Sequence, residues 1–384
     1  MNGVTNQSRA VRTAITHCRD AKQAAEDIFN GLGRPADGLT VFFCSPYYDL
    51  AALGDGLRAC FADAGVIGCT TAGEIASIGY LENTVVAVWF PGEGFQCVTE
   101  HVEHLQLGSM SDVNAMVRVL KRRHAAISEQ DDGRTFAICL IDGITGFEEL
   151  VLGALREGLG AISLVGGSAG DAMRFRETAV YHAGSFHTAS VVLALIRTPR
   201  PFQVFATQHF TSSQAKMVVT QADPQRRAVI EINAEPAAQE YARIIGMRRR
   251  DLGEAVFATH PLAIKVGNSY FVRSIQRIDD DGALKFYCAV DEGIVLTAAG
   301  PVDMVDGLDQ LFAQIRTRIG QPDVVLAFDC LFRKIEARQR GLDSHMERLF
   351  GPNRVVGFST YGEQFNALHL NQTFTGIAIG RETA

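Results

Sequence analysis

Residues 68–75 read GCTTAGEI, and residues 357–364 read GFSTYGEQ. Each follows an apolar run. The match continues without a gap, placing Leu81 and Thr84 opposite Leu370 and Thr373. A third stretch, GGSAGD at 166–171, aligns Ser168, Gly170 and Asp171 with Thr71, Gly73, Glu74 and with Thr360, Gly362, Glu363. The shared pattern is a hydroxyl residue, a spacer, a glycine and an acid at the end of a strand. A repeated unit has to be recognised before any single motif within it is interpreted.

The third copy also satisfies G-x-S-x-G, the nucleophile elbow of α/β-hydrolases. An elbow places a strained serine between strand and helix, with His and Asp partners later in the chain. Here two of the three copies carry threonine, and a loop and strand follow. The repeat therefore favours a turn whose glycine adopts a backbone other residues avoid. Its hydroxyl and carboxylate either cap the loop or meet a ligand at the strand end. A hydrolase using Ser168 or Cys330 remains the alternative.

Outward from these turns, the chain alternates strands and helices. LTVFFCS (39–45), TVVAVWF (84–90), FAICLID (136–142), AISLVGG (161–167), DVVLAFDC (323–330), RVVGFST (354–360) and TFTGIAIG (373–380) read as strands. Asp20 is placed to cap a helix running to about residue 30, LAALGDGLRACFADAG (50–65) reads as a helix ending at Gly65, and further helices fall at 147–160, 336–349 and 303–319. AVYHAGSFHTASVVLALI (179–196) reads as a hairpin turning near Ala183-Gly184, and a second hairpin turns at DDDGA. The prolines of 198–226 suggest a connector. The expected class is α/β, or α+β, with two similar halves of mixed sheet flanked by helices and a pocket at strand-end loops. Residues 1–225 and 226–384 are the expected domains.

The net charge of −7 argues against nonspecific nucleic-acid binding, and Arg248-Arg249-Arg250 is followed at once by Asp251. The eight cysteines form no C-x-x-C pair. No signal-peptide pattern and no long apolar run is seen. A soluble, reducing, cytoplasmic setting is expected.

GCTTAGEI, GGSAGD, FDCLFR (328–333) and GFSTYGEQFNALHLNQT (357–373) together resemble FIST proteins, the F-box and intracellular signal transduction family. The likeness spans a FIST N-terminal part at about 30–225 and a FIST C-terminal part at about 226–375. With no F-box, kinase or methyl-accepting segment, the chain resembles stand-alone bacterial members. The resemblance implies a non-enzymatic sensor of a small ligand such as an amino acid or related metabolite. It also implies a haem-bound nitric oxide variant, reporting to a histidine kinase and to cyclic-di-GMP signalling. Carried onto this sequence, the pocket residues are Thr70, Thr71, Gly73, Glu74, Cys330, Arg333, Thr360, Glu363 and Asn366, joined by Ser168 and Asp171 from the third turn.

A haem b needs an axial donor between apolar walls. His187 and His369 are the candidates, the latter standing where the first repeat has Tyr80; Tyr80 and His260 are lesser ones. By strand alternation His182 and His187 fall on opposite sides of their hairpin. Arg333 is placed to clamp a carboxylate or propionate, or to pair at the surface with Asp329 or Glu336. Cys330 is either a thiolate activated by Arg333 or a packed thiol. Glu74 and Glu363 are expected to face each other across a cleft and bind a cationic group.

Overall fold

In the strand Leu39–Cys44 (LTVFFC) every residue is buried, as are all residues of Val85–Phe90, Thr135–Ile141, Val355–Thr360 and Thr373–Gly380. Strands apolar on both faces have to be covered on both sides. The computed structural model, which describes residues 10–62, 64–127, 134–266, 269–366 and 368–382, shows how this is done. Among the described residues, three six-stranded sheets turn one face toward a shared core containing Phe43, Val88, Ile138, Val165, Phe328 and Phe358. The other faces are covered by helices: Ala21–Gly31 and Leu50–Cys60 on the first sheet, Met110–Ile127 and Glu148–Leu159 on the second, Met304–Ile319 and Asp343–Phe350 on the third.

The mixed α/β class is the expected one, but the repeat runs beyond two halves: there are three units of one design. In each, two parallel strands lead to a turn, a short hairpin and a returning antiparallel strand. The parallel pairs are Leu39–Cys44 with Gly65–Thr70, Thr135–Ile141 with Ser163–Ser168, and Pro322–Cys330 with Val355–Thr360. Each unit exports its hairpin. Glu74–Leu81 of the first unit joins the third sheet at Val355–Thr360. Val180–His187 of the second joins the first sheet at Gly65–Thr70. Glu363–Leu370 of the third joins the second sheet at Ser163–Ser168. The exchange is cyclic, so each unit completes another's sheet edge.

Several boundaries differ from expectation. The helix after Asp49 ends at Cys60, and Gly65 opens the next strand. The segment around 336–349 is two helices, Leu331–Gln339 and Asp343–Phe350, parted at Gly341, whose φ is 66°. The supposed connector 198–226 holds two strands, Phe202–Gln208 and Phe210–Asp223. Pro199 and Pro201 precede the first strand and Pro224 follows the second, so no proline interrupts a ladder. Phe202–Gln208 pairs with Thr373–Gly380, so strands from both sides of residue 225 share a sheet. Residues 210–301 form a further sheet inserted into the third unit and packed, through Phe257 and Phe286, with Leu331, Phe332 and Tyr361.

Candidate functional site

The three turns meet one another. Ala72 N donates to Ser359 O at 3.0 Å, Gly170 N to Thr70 O at 3.0 Å and Tyr361 N to Ser168 O at 3.2 Å. This ring of backbone bonds aligns Thr70, Ser168 and Ser359 as equivalents. Ser168 therefore matches Thr70 rather than Thr71, one residue from the sequence alignment. The position that opens the exported hairpin and pairs with another unit's strand is Glu74, Glu363 or, in the second unit, Val180. Asp171 is displaced into a longer loop.

Glu74 accepts from the Thr71 hydroxyl, and from Thr84 through its N–H at 3.2 Å and its hydroxyl at 2.6 Å. Glu363 repeats the clamp, accepting from the Thr360 hydroxyl and from Thr373 N and Oγ1 at 3.1 and 2.8 Å. Burial pushes the Glu74 carboxyl up to about 7 and the Glu363 carboxyl up to about 8, against these stabilising bonds. The two acids pair with different sheets and do not face across a cleft as expected. Asp171 is a loop cap: Phe175 N, Arg176 N and Glu177 N donate to it at 2.8, 2.8 and 3.1 Å, and the Tyr361 hydroxyl joins them.

Other expected residues are structural in their contacts. The Ser168 hydroxyl is buried and accepts from Gln364 Nε2 at 2.9 Å. Thr70 Oγ1 accepts from Ala179 N at 3.0 Å. Asn366, at an exposed hairpin turn with φ 54°, exchanges bonds with Leu164. Burial raises the Cys330 thiol well above its ordinary range, so Arg333 does not activate it. Arg333 is 1% exposed, not a surface cation. Its Nε donates to Asp329 at 2.6 Å, and it also meets His209, which bonds Glu336 at 2.6 Å.

One residue further, the helix turns by about 100°, and Lys334 points the other way, into a cleft. A cavity of about 250 Å³ is lined by Ser45 and Tyr47 after a first-unit strand, Gly73 and Glu74 of its turn, Met173 of the second unit, and Lys334 and Arg338 of the third. It adjoins one of about 450 Å³ through Ser45, Tyr47 and Asn83. All these loops lie at carboxyl ends of strands, the usual ligand side of such sheets. Lys334 Nζ donates to Ala72 O at 3.0 Å and pairs with Glu82 at 2.9 Å. Burial lowers its pKa, opposed by Glu82. The backbone requires glycine at position 73, where φ is 128°, and a Cβ there would displace Lys334 Nζ, 2.2 Å away. Ala172 and Met173 hold φ of 55° and 66° at the cleft wall, a conformation costly for non-glycine residues.

Comparison with models of known families matches a FIST N domain to residues 38–235 and a FIST C domain to residues 237–366. The chain belongs to the FIST family. FIST domains are signal-transduction sensor domains that bind small ligands. No curated protein matches this FIST chain closely enough to add to that. Among its described residues no helix is long and apolar enough to cross a membrane.

Of the sequence-derived set, Gly73 and Glu74 line the cleft; Thr71 holds Glu74 in place. The missed residues are Lys334, Arg338, Glu82, Tyr47 and Met173. The spacing of Lys334 and Arg338, four apart on one helix face, was the available signal. The two haem candidates lie in different settings. His187 is ringed by Glu103, Ser185 and the His182 carbonyl. His369 is buried with its ring against Gly362, where a Cβ would stand 2.1 Å from Cε1, and among the described residues neither of its ring nitrogens has a hydrogen-bond partner.

Proposed function

We propose that this FIST protein senses a small zwitterionic metabolite, such as an amino acid, in the cleft walled by all three units. One observation carries the reading: Lys334 and Arg338 stand beside Glu74 and Glu82 in a single cavity of about 250 Å³. A ligand carboxylate displaces Glu82 from Lys334 and Arg338, and a ligand ammonium approaches Glu74 and the freed Glu82. Because the wall belongs to three units, binding biases their relative placement, and that bias is the signal. A non-enzymatic role suits the environments of Ser168 and Cys330, which lack an adjacent base and a lowered pKa respectively.

The test is calorimetry and thermal shift across amino acids, amines and small carboxylates. A saturable heat that Lys334→Met weakens at least tenfold, and Ser168→Ala leaves intact, supports the reading. A panel with no saturable ligand, or a hit indifferent to Lys334→Met, removes it. Haem with nitric oxide, and a histidine kinase acting on cyclic-di-GMP, rest on the family resemblance alone. Haemin titration followed by absorption decides the former: a Soret band that shifts with nitric oxide and is lost in His187→Ala or His369→Ala would restore it.

A further inference from the structure

His101 and Glu103 lie at the end of the strand Gln96–Val102, an edge of the second sheet. His182 and His187 lie on the hairpin forming an edge of the first sheet. The fold brings these edges together. His101 Nε2 and His187 Nδ1 converge on Glu103 Oε1, at 2.8 and 3.1 Å. One ligating atom from each of the three side chains lies within 4.8 Å of the others. The His101 ring is 4.5 Å from that of His182 and 4.8 Å from that of His187. This corrects the expectation that His182 and His187 part across their hairpin; both meet His101.

His187 Nε2 lies 3.2 Å from the His182 carbonyl and 3.0 Å from the Ser185 hydroxyl. In the neutral tautomer that donates from Nε2 to that carbonyl, the lone pair on Nδ1 is aimed at a carboxylate. Two acceptors facing each other repel, whereas a cation between them satisfies both. An imidazole whose far N–H bonds a backbone carbonyl is the usual orientation of a metal-bound histidine. Among the described residues, His101 Nδ1 and His182 Nδ1 are buried with no hydrogen-bond partner. Glu100 stands 3.9 Å from His101 Nδ1, adding negative charge beside the cluster.

We propose that His101 Nε2, His187 Nδ1 and Glu103 bind a divalent transition ion of the Zn²⁺ class, clipping the first sheet to the second. Two imidazoles and one carboxylate suit borderline ions. Bond lengths near 2.0–2.2 Å place tetrahedral ligand atoms about 3.3–3.6 Å apart, so the two Glu103 contacts, at 2.8 and 3.1 Å, have to open slightly while the three ligand atoms, now within 4.8 Å of one another, draw together. Water fills the remaining positions.

The test uses the tag-free full chain, stripped with chelator, titrated with Co²⁺ by visible absorption and with Zn²⁺ by calorimetry. One equivalent is expected to bind, with tetrahedral Co²⁺ bands and a raised melting temperature. His187→Ala and Glu103→Gln each weaken binding at least tenfold, while exposed His17→Ala changes nothing. Circular dichroism checks each variant's fold, and His101→Gln serves if His187→Ala fails to fold. An absence of saturable binding, or equal binding by the His101→Ala/His187→Ala double variant, overturns the proposal.

Discussion

Glu74 and Glu363 carry the same hydroxyl clamp in two turns that pair with different sheets. Both carboxyls are pushed up, to about 7 and about 8, from an ordinary 4.5, with burial as the leading cause. The folded chain keeps these protons where the unfolded chain has released them. Stability from this source is therefore full below about pH 4.5 and lost as pH rises through 7 to 8. For Glu74 the shift from 4.5 to about 7 corresponds to roughly 3 kcal/mol. His209 acts in the opposite sense: burial and then Arg333 depress it to about 4, so stability falls as pH drops from its ordinary 6.5. The clean readout is the difference between wild type and Glu74→Gln or Glu363→Gln. Melting temperature followed from pH 5 to 8 is expected to decline less steeply in either variant; equal slopes would show that the carboxyls ionise with the unfolded chain's affinity.

At the scale of elements, the three parallel pairs share a constraint. Gly68, Gly166 and Gly357 each sit two residues before the ring of turns, and a Cβ there would reach the neighbouring strand's carbonyl: Phe42 O at 2.5 Å, Cys139 O at 1.9 Å, Ala327 O at 1.8 Å. The obstacle is backbone, which cannot swing aside. Gly166→Ala and Gly357→Ala should each destabilise by at least about 2 kcal/mol in denaturant melts, near the upper part of the range for overpacking. Gly153→Ala, mid-helix with nothing within 4 Å, is the control and should be neutral or stabilising by up to about 1 kcal/mol. Near-equal losses at all three sites would count against the packing account. G-x-[ST] was legible three times in the sequence, yet its meaning needed the parallel register.

At the scale of the molecule, the hairpin exchange makes the units interdependent. A fragment of residues 1–225 would leave Phe202–Gln208 and the Glu74–Leu81 hairpin without the strands they pair with, and Ser163–Ser168 without its outer partner. Unpaired edges aggregate. That fragment is expected to be insoluble or molten, recovering native circular dichroism only when co-expressed with 226–384; a soluble, cooperatively melting 1–225 would contradict the interlocked fold.

By itself the sequence determined the α/β class, the buried strands, the Asp20 cap, the hairpin at Ala183-Gly184, the recurring turn and the family. These follow from periodicity, turn chemistry and capping, which act across a few residues. Tertiary structure decided which acid pairs with which strand, why Ser168 aligns with Thr70, and that Lys334 rather than Arg333 faces the cleft. It also decided that His101 meets His187. Those outcomes depend on segments far apart in the chain closing one another's sheet edges, and no local pattern encodes which edge a hairpin will join.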